Sequence, residues 1–185
     1  MILYIDHYDS FTNTIVDYVS YLGFEVCVRK TDEQLNDLNK YSHIIIGPGP
    51  GHPSELKHLY SVINFCENNN KPLLGIFLGH QLIAKYFGFN VIKSKAIFHG
   101  RNSLIFIEND CAIYKGLPKQ FEVTRYHSLV VDSIKKPLVT IANTKEDEIM
   151  AFKHNKYNIF GVQYHPEAYL TEHGLEVLDN FLKID

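Results

Sequence analysis

Short apolar runs alternate with amphipathic segments along the first half of the chain. The apolar runs are each bounded by glycine, proline, aspartate or asparagine, and they occupy residues 2–5, 24–28, 43–46 and 73–76. Short apolar runs of this kind are typical of strands that are buried on both faces, as in a parallel sheet. The segments between them show helical spacing, so the pattern predicts repeated strand–helix–strand units.

Three helices are predicted in this half. The first covers residues 11–22, with Ser10 as its expected N-cap and Gly23 as the residue that ends it. The second is expected from residue 54 to about residue 66, where apolar side chains share one face. The third is expected over residues 79–87.

The second half has shorter segments of alternating character. They indicate strands, partly antiparallel, over residues 91–95, 103–107, 121–124, 138–143, 149–153 and 159–164. A final helix is expected over residues 171–182. Together the halves predict one α/β domain over residues 1–185, doubly wound, with a mostly parallel central sheet and additional antiparallel strands. In such a fold, ligands bind outside the carboxyl ends of the strands.

Composition narrows the class of protein. Of 185 residues, 45% are hydrophobic and 21% charged, which is typical of a globular chain and excludes disorder and collagen. The net charge of -3 offers no bulk attraction to nucleic acid or to an anionic membrane. Three widely spaced cysteines do not resemble a secreted disulfide framework, and no signal peptide is recognisable, so we expect a cytoplasmic protein.

A candidate nucleophile elbow surrounds Phe77. The sequence GIFLGHQ covers residues 75–81, where a buried strand turns into a helix. Such a turn exposes its middle residue and aims the next backbone N–H at a developing oxyanion. Phenylalanine has no lone pair with which to attack. Taken alone, the segment equally fits a buried strand followed by a helix, with Phe77 in the core.

Two further segments carry candidate chemistry. The sequence GPGPG over residues 47–51 follows a buried strand, and such a loop can present rigid N–H groups to a ligand, although it also fits a plain tight turn. His165, Pro166 and Glu167 place an imidazole beside a carboxylate, which is how a general base is oriented. A lone tripeptide of this kind also occurs by chance.

In this order, the three segments resemble the triad-type glutamine amidotransferases, whose elbow reads G-x-C-x-G-x-Q and whose late H-P-E supplies base and orienter. DHYDSFT over residues 6–12 is similar to the D-N-Y-D-S-F-T opening of the glutaminase subunit (component II) of anthranilate synthase and aminodeoxychorismate synthase. HG at 99–100, RYHSLV at 125–130 and GVQYHPE at 161–167 are also similar to that subunit. The resemblance covers about residues 2–182.

The resemblance implies a subunit that hydrolyses glutamine and passes ammonia to a chorismate-aminating synthase subunit (component I), without a cofactor or metal. By position, Phe77 stands where the catalytic cysteine is missing, His165 matches the base and Glu167 its orienter. The backbone N–H groups of Gly49 and Leu78 would form the oxyanion hole. The residues that would hold glutamine are Gly49, Pro50, Gly51, Gln81, Ser128 and Leu129.

Phe77 is the departure from the family pattern that removes the chemistry, because a benzyl group cannot form a thioester. Three other departures leave the chemistry possible: Gly47 and Ala168 each stand in place of a serine, and His7 stands in place of an asparagine. We therefore predict that glutamine hydrolysis is lost. Elbow nucleophiles sit in a strained backbone region, so either the elbow has relaxed or the packing of Phe77 sustains the strain.

None of the three cysteines is expected to replace the missing nucleophile. Cys27 is expected in a strand, Cys66 on the apolar face of a helix and Cys111 in a loop. Phe77 could also be a recent lesion in a normal glutaminase.

Other functions stay open at this point. The chain could be a non-catalytic partner or glutamine-binding subunit of an ammonia-dependent synthase. A flavodoxin-like nucleotide binder is a further alternative, because Ser10, Thr12 and Thr14 lie where a phosphate could meet a helix N-terminus. A zinc hydrolase is disfavoured, since the ten histidines show no ligand spacing such as HExxH.

Overall fold

Eleven strands and four α-helices form within residues 1–94 and 98–185, the part of the chain that the computed structural model describes. The strands are β1 (Ile2–Asp6), β2 (Val26–Lys30), β3 (Ile44–Ile46), β4 (Leu73–Ile76), β5 (Val91–Lys93), β6 (Arg101–Ile107), β7 (Gln120–Arg125), β8 (Leu129–Val131), β9 (Leu138–Thr144), β10 (Ile149–His154) and β11 (Ile159–Val162). The helices are α1 (Thr12–Tyr21), α2 (Tyr60–Asn69), α3 (Leu78–Tyr86) and α4 (Gly174–Leu182), with short 3₁₀ helices at Leu38–Lys40, Pro53–Leu59 and Ala112–Tyr114.

The main sheet has the strand order β2-β1-β3-β4-β11-β10-β9-β6-β7. Neighbours are parallel from β2 through β11 and antiparallel from β11 through β7. Strands β5 and β8 form a separate antiparallel pair. This confirms the predicted α/β fold with a parallel part and an antiparallel extension.

Helices cover both faces of the sheet. Helices α1 and α4 contact each other and bury Ile15, Val19 and Val177 in one apolar core. Helices α2 and α3 bury Ile63 and Leu82 in a second core on the opposite face. The doubly wound arrangement is therefore confirmed. None of the helices in the described ranges is long and apolar enough to cross a bilayer.

The pairing of β4 with β11 positions the candidate site. In that parallel pair, Ile76 stands opposite Val162. The residues that follow these two strands, the elbow around Phe77 and the segment with His165 and Glu167, therefore leave the sheet side by side. A sheet edge formed by parallel carboxyl ends is where this fold class binds ligands.

The helix predictions need three corrections. Ser10 is not the N-cap of α1; Phe11 holds that position, and its N–H is bound by the Asp9 carboxylate at 2.8 Å. The helix expected from residue 54 begins as a 3₁₀ helix and becomes α-helical only at Tyr60. The last helix begins at Gly174 rather than at residue 171, because the Thr171 hydroxyl donates to the His165 carbonyl at 2.7 Å and so holds the preceding loop.

Several strands differ from their predictions. Strand β2 starts at Val26 and lies at the sheet edge, so Val28 is 39% exposed and the strand is not buried on both faces. The strand predicted over 159–164 ends at Val162, and β8 was not predicted. Lys95, the last residue of the strand predicted over 91–95, lies outside the described residues.

Candidate active site

The backbone at Phe77 has the geometry of a strained elbow. Its φ of 52° and ψ of −100° lie where bulky side chains are rarely found. The Phe77 N–H donates to the Val162 carbonyl at 2.8 Å, and the Phe77 carbonyl accepts from the Gln81 N–H at 3.1 Å. A residue held this way costs about 1–3 kcal/mol. The elbow has therefore not relaxed around the aromatic side chain.

Two glycines make this turn possible. A Cβ atom on Gly75 would lie 2.4 Å from the backbone carbon of Gly79, and one on Gly79 would lie 2.2 Å from the carbonyl oxygen of Ile46. Both neighbours are backbone atoms, which cannot move aside as a side-chain end can. The sharp strand-to-helix turn thus depends on the absence of side chains two residues before and after Phe77.

His165 and Glu167 form a buried pair beside the elbow. The imidazole Nδ1 lies 2.5 Å from the Glu167 Oε1, and both residues are 2% exposed. With Nδ1–H as the donor, Nε2 is left as a proton acceptor, and no described residue hydrogen-bonds to it. The arrangement can take up a proton at Nε2 and stabilise the resulting imidazolium through the carboxylate.

Aromatic rings enclose the His165 imidazole. The ring centroids of Phe77 and Phe11 each lie 5.2 Å from that of His165, and the ring of Tyr126 lies at 5.3 Å. Phe77 itself is half-buried and packs against both apolar cores. The side chain at the elbow therefore lies directly against the imidazole, in surroundings with little water.

The loop over residues 47–51 lies next to the elbow, at the carboxyl end of β3. Gly49 is buried, and a Cβ there would lie 2.6 Å from the His7 carbonyl oxygen, whereas Pro50 and Gly51 are exposed. Leu78 is the first residue of α3, so its N–H has no intrahelical acceptor. The two predicted oxyanion donors thus follow adjacent parallel strands.

Of the other residues predicted to hold glutamine, Gln81 and Leu129 are in contact. The buried Gln81 Nε2 donates to the Leu129 carbonyl at 3.2 Å and to the Gln163 Oε1 at 3.1 Å. Ser128 is exposed, and its carbonyl accepts from the Ser94 N–H at 2.8 Å. Gln81 of α3 is therefore bonded to the first residue of β8, and Ser128 directly precedes that strand.

Sequence reasoning missed the network that holds this segment. The buried Arg125 forms an ion pair with Glu148, and its guanidinium carbon lies 3.4 Å from the centroid of the Phe98 ring. The Arg125 Nε–H donates to the His127 Nε2 at 2.9 Å. Burial and the Arg125 charge lower the pKa of His127 to about 3, so the ring is neutral and can accept. Arg125 was visible in the motif, but nothing in the sequence marks Glu148 as its partner.

None of the three cysteines belongs to the site. Cys66 is buried in α2, and burial raises the pKa of its thiol to about 12. Burial also raises the pKa of Cys111, which precedes a 3₁₀ helix. Cys27 lies in β2, where its sulfur accepts from the Tyr41 hydroxyl at 3.4 Å. These positions agree with the structural roles expected for them.

The start of α1 is occupied by a carboxylate. The Asp6 Oδ1 accepts from the Thr12 hydroxyl at 2.7 Å and from the Asp9 N–H at 3.1 Å, and Lys30 pairs with the other oxygen. A phosphate at this helix N-terminus would meet that negative charge, which argues against the nucleotide-binding alternative. In residues 1–94 and 98–185, no three His, Cys, Asp or Glu side chains are grouped to hold a metal ion.

Known proteins resemble this chain over nearly its full length. The model of the glutamine amidotransferase class-I family matches residues 3–184. "Anthranilate synthase component 2" of Cyanidium caldarium is 43% identical, over 100% of this chain and 98% of the relative. "Aminodeoxychorismate/anthranilate synthase component 2" of Bacillus subtilis is 40% identical, over 99% and 96%.

A solved structure agrees at the level of the fold. A glutamine amidotransferase from Thermotoga maritima superposes with a TM-score of 0.83 at 19% identity, over 98% of this chain and 96% of that one. Since the family model and the full-length relatives point the same way, this chain belongs to the class-I glutamine amidotransferase family.

Proposed function

We propose that this chain is the glutaminase-type subunit of a chorismate-aminating synthase and that its own hydrolysis of glutamine is lost. The names of the full-length relatives support the first part of the proposal. The second part rests on one observation: Phe77 occupies the strained elbow, with its ring against the His165 imidazole. The proposed partner is the synthase subunit that binds chorismate and uses free ammonia in place of glutamine.

The loss follows from the chemistry that a cysteine would perform at position 77. A thiolate there would attack the carboxamide carbon of glutamine, and the tetrahedral oxyanion would be held by the N–H groups of Gly49 and Leu78. The C–N bond would then break as the His165 imidazolium gives a proton to the departing ammonia. Water would cleave the thioester to glutamate and restore the thiol. The carbon atoms of Phe77 have no lone pair, so the first bond does not form.

The aromatic ring is also expected to remove residual catalysis. Enzymes without their nucleophile can retain about 10³ to 10⁴ of rate enhancement through binding and the oxyanion hole. The Phe77 ring lies where the substrate amide would meet the imidazole, so the amide is excluded from that place. The remaining proposed contacts to glutamine come from Gly49, Pro50, Gly51, Gln81, Ser128 and Leu129.

An exposed apolar pair next to the site is the proposed contact with the synthase subunit. Tyr169 is 96% exposed and Leu170 is 55% exposed, and both directly follow the buried segment that ends at Ala168. In a working pair, ammonia passes from this site to the partner, so the mouth of the site faces the partner.

We place the complex in the cytoplasm, which is consistent with three separate free cysteines.

Glutamate release from glutamine tests the proposal, measured with and without the cognate synthase subunit. The parent chain should release no glutamate above the blank, while Phe77→Cys should raise the rate by about 10³-fold or more. Phe77→Ala is the matched control, because it removes the ring without adding a nucleophile, and it should stay inactive. Ordinary turnover by the parent chain contradicts the proposed loss. An inactive but folded Phe77→Cys contradicts the view that the rest of the site is intact.

A second measurement separates the two parts of the proposal. The parent chain should co-purify with the synthase subunit, and the complex should aminate chorismate with ammonium but not with glutamine. Failure to form the complex contradicts the subunit role, whatever the result for glutamate release.

A further inference from the structure

The side-chain amide of Gln81 is held by two acceptors inside the protein. Gln81 is 1% exposed, and its Nε2 donates to the Leu129 carbonyl at 3.2 Å and to the Gln163 Oε1 at 3.1 Å. A primary amide nitrogen carries two hydrogens, so these two bonds use both of them. The Gln81 Oε1 accepts no hydrogen bond from a residue in the described ranges. The amide is therefore bound at its donor end and open at its acceptor end.

The Leu129 carbonyl decides which way this amide is turned. A backbone carbonyl can only accept, so the Gln81 atom that faces it is the nitrogen. The Gln163 atom that faces the same nitrogen is in turn an oxygen. Turning either side-chain amide by half a rotation would bring two donors or two acceptors together. The orientations of both amides are therefore fixed by this series of three groups.

The backbone around Gln163 ties the series to the elbow. Gln163 is 0% exposed and follows Val162, whose carbonyl accepts from the Phe77 N–H at 2.8 Å. The Gln163 N–H donates to the Met150 carbonyl at 2.8 Å. Gln81 is joined to the same elbow, because its N–H donates to the Phe77 carbonyl at 3.1 Å. The Gln81 amide is thus held one helical turn after position 77.

This arrangement leaves one buried donor unsatisfied. With its oxygen toward Gln81, Gln163 has its Nε2 buried and without a hydrogen-bond partner among the described residues. A buried donor in that state costs about 1–3 kcal/mol. An apolar pair of side chains at positions 81 and 163 would avoid this cost, so stability alone gives no reason for two buried amides here. What the Gln163 oxygen supplies is a second fixed acceptor for the Gln81 amide.

We propose that Gln163 is a positioning residue that presents the Gln81 Oε1 to the ligand as a hydrogen-bond acceptor. An acceptor held in this way selects a ligand that carries an ammonium group over one that lacks it. The inference rests on the proposed function, under which that group is the α-ammonium of glutamine. With a methionine at position 163, the Gln81 amide keeps only its bond to Leu129 and is free to turn.

Glutaramate, which is glutamine without its α-amino group, tests the proposal. Glutamine and glutaramate are titrated calorimetrically against Phe77→Ala, which frees the place of the ring and cannot turn the ligand over. Glutamine should bind at least about 10-fold more tightly than glutaramate. In Phe77→Ala/Gln163→Met, glutamine should lose about 10-fold in affinity, while glutaramate should change by less than about 3-fold. A merely structural role would weaken both ligands alike. Equal losses, or a folded Phe77→Ala that does not prefer glutamine, overturn the proposal.

Two further changes in Phe77→Ala control for the substitution itself. Gln163→Glu keeps an oxygen acceptor toward Gln81 whether or not the carboxyl is ionised, so it should keep the preference for glutamine within about 3-fold. Gln120→Met makes the same change as Gln163→Met at an exposed position in β7, and it should leave both affinities unchanged. Loss of the preference in a folded Gln163→Glu variant contradicts the proposal.

If Gln163→Met does not fold, the parent chain itself provides the test. The chain has four glutamines, so NMR can follow the side-chain amide of each. Both Gln81 amide protons should exchange with water about 100-fold more slowly than those of the exposed Gln120. Exchange of either proton at the rate of Gln120 overturns the proposal. Glutamate release by the parent chain would instead contradict the proposed loss of hydrolysis, and it would leave these exchange rates and the ligand preference unaffected.

Discussion

The elbow around Phe77 and the segment from His165 to Glu167 lie side by side at the ends of two parallel strands, yet they differ in what they retain. The elbow keeps its strained backbone but has an inert side chain. The other segment keeps both its side chains and their 2.5 Å contact. The contrast shows that backbone shape and chemistry are separately encoded here. Glycines and neighbouring strands hold the turn even with a phenylalanine at position 77.

The two regions also differ in the surroundings of their histidines. His165 has a carboxylate partner, whereas His80, in the helix after the elbow, is fully buried with its ring centroid 4.5 Å from that of Phe152. Burial lowers the pKa of His80 to about 3. One imidazole is therefore placed to take up a proton, and the other is kept neutral as part of the core.

The largest effect is expected when Glu167 is changed in a variant that has a cysteine at the elbow. In Phe77→Cys, the further change Glu167→Gln should lower kcat for glutamine hydrolysis by about 10³-fold, because the amide favours the wrong imidazole tautomer and cannot stabilise the imidazolium. Glu172→Gln is the control, since that side chain is exposed and accepts from the Glu122 N–H. A loss below about 10-fold would mean that the retained pair does not orient the base.

A smaller effect should follow from filling the elbow. Gly75→Ala should lower the free energy of unfolding by about 3 kcal/mol, because the new Cβ meets the Gly79 backbone at 2.4 Å. Gly88→Ala is the matched control: its φ is +87° but the space is open, so the cost should be about 1 kcal/mol. Urea unfolding of both variants measures the difference. Equal costs would contradict the view that glycine packing builds the turn.

The pH dependence of stability should report on His80. Its folded-state pKa of about 3 lies below the ordinary value of 6.5, so only the unfolded chain takes up the proton between these values. Stability is therefore full above about pH 6.5 and falls as the pH drops, by about 1.4 kcal/mol per unit for this group. His80→Leu should flatten the curve by about 2 kcal/mol between pH 6.5 and 5. The pKa of His127 is also lowered to about 3, so the stability of the His80→Leu variant should still fall somewhat as the pH drops. A variant as acid-sensitive as the parent would show that His80 is not the cause.

The smallest effect is expected at the surface next to the intact segment. Tyr169→Asp should weaken association with the synthase subunit by about 5-fold, or about 1 kcal/mol, without a change in the melting temperature. Tyr21→Asp, at the end of α1 and 79% exposed, is the control and should leave association unchanged. Calorimetric titration of the two subunits measures both. Equal affinities for the two variants would remove Tyr169 from the proposed interface.

The sequence predicted those features that local patterns encode. Apolar runs located the parallel strands, and three motifs located the elbow, the glycine-rich loop and the His165–Glu167 pair. Contacts between distant residues were not predictable, because no local signal pairs Arg125 with Glu148 or brings Tyr4 to Gly47. The prediction of Ser10 as the N-cap was wrong. The neighbouring Asp9 carboxylate accepts from the Phe11 N–H instead, and the sequence alone does not show which of the two side chains would do so.

The torsion angles at Phe77 also bear on how readily a nucleophile could be introduced at this position. Codons for phenylalanine and cysteine differ by a single base, and the turn already holds the shape in which a thiol would be presented. Such a change would need no new loop, but it would remove a ring that packs against both apolar cores. A single point mutation would therefore place a sulfur nucleophile in this turn.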